Sequence, residues 1–108
     1  MKKQFYSQYI EIETLYVALD ELEVSEKEKT HLKKIIETNL YHTILDAVLS
    51  ELHEDDKRMF LDKLAEDDHE KTMDFLQKRI LNIEEKIKRT AKDLMQELHE
   101  DVKEAKKR

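Results

Sequence analysis

The sequence predicts an all-α fold: a compact bundle of about five helices, two of them long. Three observations predict it. Glycine and proline are both absent from the 108 residues, and a β-rich chain of this size needs them at its turns. Apolar residues recur at three- and four-residue steps, the spacing of one helix face. Ser25, Asp67 and Asn82 each stand three residues before a glutamate, the arrangement found at helix starts.

The first helix is expected over residues 4 to 22. Phe5, Tyr9, Ile12, Tyr16 and Leu19 keep helical spacing, and Tyr6, Ile10, Leu15 and Leu22 widen the band. The β-branched Ile12, Thr14 and Val17 allow a kink or break near residues 12 to 14. Three of the four tyrosines lie here. Their plain reading is inward packing with hydroxyls at the rim. The sharper one is an exposed aromatic face of Phe5, Tyr6 and Tyr9 for a partner.

The second helix, from Glu26 to Leu52, is the expected hub, because no other segment offers as much apolar surface. Ser25 should cap it, with Glu28 reaching back to the Ser25 amide. Leu32, Ile36, Leu40, Ile44, Val48 and Leu52 follow strict four-residue steps, a row that drifts around the helix by about 40° per step. Leu32, Ile35 and Ile36 share a face in the first half. Tyr41, Ile44, Leu45, Val48, Leu49 and Leu52 lie on nearly the opposite face in the second. The two halves should therefore meet different neighbours.

His53-Glu54-Asp55-Asp56 marks a boundary whose carboxylates suit a helix N-terminus. A short third helix, about 54 to 66, carries Met59, Phe60, Leu61 and Leu64. Asp67 is the expected cap of a fourth, about 69 to 80, with Met73, Leu76 and Ile80 inward and Phe75 of either direction. Asn82 opens the last helix, 83 to 106, which should lie along the second. Ile83, Ile87, Ala91, Leu94, Leu98, Val102 and Ala105 make a single narrow stripe on it, suited to a bundle or a coiled-coil seam.

A chain of 108 residues suits one domain. Residues 1–14 read as an extension of the first helix and 103–108 as a basic end. Charged residues make up 43 % of the chain, a share that suggests disorder, but the apolar residues are periodic rather than scattered. The lack of cysteine excludes disulfides and thiolate chemistry. No apolar run approaches the roughly 20 residues of a membrane span, and no apolar stretch follows Met1-Lys2-Lys3 as in a secretory leader. A cytoplasmic location is the expectation. The net charge of −6 disfavours non-specific nucleic-acid binding.

Ordered phrases from residue 15 to 105 resemble a family of short helical proteins, a domain of unknown function found mostly in uncultivated bacteria with small genomes. They are Leu19-Asp20-Glu21-Leu22 before Ser25-Glu26-Lys27-Glu28-Lys29, then Ile44-Leu45-Asp46-Ala47-Val48-Leu49. Glu54-Asp55-Asp56-Lys57 leads to Phe60-Leu61, followed by Asp74-Phe75-Leu76 with Ile80, and Ile83-Glu84-Glu85-Lys86-Ile87. The family usually has Gly near the Asp67-Asp68 turn and Pro near Leu81, and this chain has neither. The resemblance implies a helical fold and brings no activity or site.

Chemistry has few candidates. Glu28/His31 and Glu66/His69 share the Glu-x-x-His spacing of di-iron bundles, whose ligands project inward from long facing helices. Here the pairs fall at helix ends, where exposed polar residues are ordinary. Ser25 reads as a cap and Ser50 lies on a polar strip, so no nucleophile stands out. Usual phosphate loops need glycine. No catalytic residue, metal ligand or cofactor is assigned. Lys86, Lys88, Arg89 and Lys92 form the one notable basic cluster, interrupted by Glu84, Glu85 and Asp93. It reads as a solvated helix face before it reads as a nucleic-acid or membrane contact.

The leading functional expectation is a non-enzymatic interaction or scaffold protein, self-associating or binding a protein partner. Its candidate face is Phe5, Tyr6, Tyr9, Leu94, Leu98 and Val102. The alternatives are a metal-binding or small helical enzyme using the Glu/His pairs, and a nucleic-acid-associated protein using the basic cluster.

Overall fold

Ser25 opens the longest helix as its hydroxyl predicts, accepting the Glu28 amide at 3.2 Å. The computed structural model describes residues 4–10 and 13–106, for positions 102, 103, 105 and 106 the backbone only. The described residues form five α-helices, a 3-10 turn at Ser7–Tyr9 and no strand. The helices are α1 (Glu13–Asp20), α2 (Glu26–Ser50), α3 (Glu54–Ala65), α4 (His69–Arg79) and α5 (Ile83–Lys106). They make a helical bundle drawn out to 48 × 23 × 21 Å.

The continuous first helix over residues 4 to 22 is not formed. Residues 4 to 9 close a 3-10 turn, Ile10 is extended at φ −129°, and α1 spans Glu13–Asp20. Residues 4–10 thus do not extend α1 as one helix, and the rest of the expected extension at 1–3 and 11–12 lies outside the described residues. The physical reason is packing. Phe5 meets Phe60 of α3 while Tyr9 reaches Glu84 of α5, although one helical turn would put both on the same face.

The helix ends show how a chain without glycine turns. Only Asp67 and Asn82 among the described residues adopt positive φ, both at 57°. Asp and Asn tolerate this region better than other residues with a Cβ. Asp67 sits just past α3 and donates its amide to the Leu64 carbonyl at 3.1 Å. It terminates α3 rather than capping α4. The cap is Asp68, whose carboxylate accepts the Lys71 amide at 3.1 Å. We expect Asp67→Ala to lose about 1 kcal/mol, because Ala resists the left-handed region, while Asp67→Gly loses nothing. Urea denaturation of the two variants checks this.

α2 and α5 pack together most extensively of all helix pairs. Lys86 in the first turn of α5 reaches Glu51 just past the end of α2 at 2.9 Å, so the two run antiparallel. Each buries a row at four-residue steps: Ile36, Leu40, Ile44 and Val48 on α2, and Ile83, Ile87, Ala91 and Met95 on α5. Such rows interlock as ridges into grooves. The expected placement of the final helix along the second is therefore seen. The hub, however, is α5, which packs against α1, α2, α4 and the 3-10 turn, whereas α2 packs against α5 and α1. α5 keeps its apolar residues in one arc along its length, so several neighbours can share it. α2 spreads them around its circumference. α3 and α4 pair with each other, and Phe60, Met73, Phe75, Leu76 and Ile80 fill their share of the core.

Candidate interaction surface

The N-terminal segment supplies half of the predicted face, and it turns inward. Phe5 is 3 % exposed and Tyr6 2 %. The Phe5 ring meets Tyr6 and Phe60 of α3 edge-on, at 5.2 and 5.7 Å between centroids. Edge-to-face pairs of this kind add to the burial of the rings. Tyr9 is half-buried, and its hydroxyl donates to Glu84 of α5 at 3.3 Å. Glu84 also accepts from Gln77 of α4 at 2.7 Å. The exposed aromatic face is thereby corrected. Phe5 and Tyr6 are core, and Tyr9 is a rim residue pinned to α5 beneath Lys88, whose ammonium lies 5.8 Å from its ring. The inward reading of the tyrosines fits Tyr6 and Tyr9.

The other half lies on α5. Leu94 and Leu98 are half-buried and touch the core without joining it, and the Val102 side chain lies outside the described residues. Met95, one step off the predicted stripe, is buried in their place. Sequence reasoning missed it because the stripe was drawn through the leucines. The four-residue rhythm Ile83, Ile87, Ala91 leads straight to Met95 and could have found it. It also missed Thr72, buried on α4 with its hydroxyl donating to the Asp68 carbonyl at 2.9 Å.

A cluster of polar groups joins α1 to α2. The Tyr16 hydroxyl donates to Glu37 at 2.5 Å. Lys33 lies 5.3 Å over the Tyr16 ring and pairs with Asp20 at 3.6 Å. Burial, and then the hydrogen bond to Glu37, push the Tyr16 phenol well above its ordinary range. Burial likewise raises Tyr6, with Tyr41 and Glu37 adding to it. A proton held more tightly in the folded state gives stability that is complete below the unfolded phenol value of about 10 and is lost as pH rises above it. We expect the melting temperature to fall between about pH 9.5 and 11.5, and to fall less steeply in Tyr16→Phe. Thermal melts followed by circular dichroism across this range check it.

The remaining candidates are scattered. Glu28 and His31 are exposed on the first turns of α2. Glu66 caps α3 and is exposed, while His69 lies 3.9 Å from Asp67. Among the described residues no three His, Asp or Glu side chains converge as a metal site would need. In the basic cluster, Lys86 is taken by Glu51, and Lys88 stands 3.9 Å from Glu85. Arg89 and Lys92 are exposed. No helix among the described residues is long and apolar enough to cross a membrane. Compared with family models, curated proteins and solved structures, the chain matches none of them.

Proposed function

We propose that this is a non-enzymatic helical interaction protein that associates with itself through α5. The observation that carries the reading is the half-burial of Leu94 and Leu98. Taking Ile83 as zero, they fall at about 20° and 60° around the helix, inside the arc that ends at Met95 near 120°. Residues at the centre of an apolar arc should be its best covered. Here the cover thins along the distal half of the helix, leaving apolar surface of the kind that marks contact sites. The resemblance over residues 15–105 fits a small helical protein of this sort, and a cytoplasmic site of action goes with the same reading.

The test is light scattering behind size exclusion over a wide concentration range. A mass rising toward twice the monomer is expected. Leu98→Gln should weaken the association roughly tenfold, the worth of about one leucine's buried surface, with helix content unchanged by circular dichroism. A monomer mass at every concentration would count against the reading.

A further inference from the structure

We infer that α3 and α4 form a hinged flap, held closed by the N-terminal segment acting as a latch. The hinge is set by the connections. Residues 51–53 lead into α3 and residues 80–82 lead out of α4. Lys86 reaches Glu51 at 2.9 Å, which brings both connections to one end of the α2–α5 pair. Asp56 in the first turn of α3 pairs with Arg79 at the end of α4 at 3.1 Å, so the hairpin closes at that same base. Its tip, the turn with Asp67 at positive φ, lies the length of a helix away.

The body of the flap is lightly tied down. α3 packs closely only against α4, and α4 in turn against α5. A cleft of about 400 Å³ lies between the tip and α2, with Lys34, Glu37 and Thr38 on one side and Asp67 and His69 on the other. These polar groups find partners on their own sides. Glu37 accepts from Tyr16 of α1, and His69 stands 3.9 Å from Asp67. Among the described residues no ion pair joins α2 to α3 or α4. A unit with few ties to its neighbours opens below the free energy of global unfolding.

The latch supplies what helix packing does not. Phe60 of α3 is fully buried, and the ring that meets it from outside the hairpin is Phe5, edge-on at 5.7 Å. The same segment is tied beside α4, because the Tyr9 hydroxyl and the Gln77 amide both donate to Glu84. Residues 5 to 9 therefore reach from the flap to α5. Opening parts Phe5 from Phe60 while the buried rows of α2 and α5 stay paired. The flap is independent of the contact proposed through Leu94 and Leu98.

The experiment is native-state hydrogen exchange on the full chain, read amide by amide by NMR. In the wild type, α3 and α4 should share one protection level at least tenfold below that of α2 and α5. Phe5→Leu should lower the protection of α3 and α4 about tenfold, the worth of an edge-to-face pair and some lost volume. Ile44→Val, in the buried row of α2, should lower α2 and α5 about fivefold and leave α3 and α4 unchanged, because its contacts survive in the open state. One protection level for all four helices overturns the flap, as does an Ile44→Val that lowers every helix alike. Unchanged protection of α3 and α4 in Phe5→Leu overturns the latch.

Discussion

Phe5→Ala is expected to lower stability by about 3–5 kcal/mol, the cost of emptying a buried aromatic site. Small domains hold only about 5–15 kcal/mol in all, so this variant should sit near the edge of unfolding. The cause is the position of the ring. Phe5 is nearly enclosed and meets Phe60, itself fully buried, so its loss opens a cavity between the N-terminal segment and α3. Tyr9→Phe makes the contrast. It removes one rim hydrogen bond to Glu84 and keeps the ring, for about 1 kcal/mol or less. Urea denaturation followed by circular dichroism measures both. A loss below about 1 kcal/mol for Phe5→Ala would return the aromatic segment to the surface and reopen its role as a docking arm.

The second large effect separates two neighbours of the same type. Ile36→Ala is expected to cost about 2–5 kcal/mol and Ile35→Ala under about 1. Ile36 is 5 % exposed and Ile35 43 %. Their sequence context is alike, and helical spacing alone groups them with Leu32 on one face. The fold divides them, because the four-residue row Ile36, Leu40, Ile44 and Val48 is the one that α2 buries. Equal losses in the same denaturation experiment would mean that α2 is covered on the Ile35 side as well.

Much of the architecture was legible. The absence of glycine and proline, the helical spacing and the Ser25 cap act within a few residues of one another, so the sequence carries them directly. The boundaries of α2 to α5 fall within two residues of their expected positions. The inward residues Met73 and Leu76 on α4 and Ile80 just past its end are all buried as the spacing implies. The candidate face was legible only in part. Its leucines on α5 keep some exposure, while Phe5 and Tyr6 do not, and nothing local distinguishes the two cases. An aromatic residue near the chain start is equally suited to a core and to a surface.

By itself, then, the sequence determined that the chain is helical, where the helices start, and which residues of each could face inward. Tertiary structure alone decided that the N-terminal segment breaks into a turn, that α5 rather than α2 is the shared surface, and that Met95 outranks Leu94. It also decided that Leu81 stands exposed at the turn between α4 and α5. The physical reason is range. Capping and helical periodicity are settled between residues one turn apart, whereas burial depends on which distant surface arrives, and in this chain α2 offers apolar residues in more directions than one neighbour covers while several neighbours share the single arc of α5.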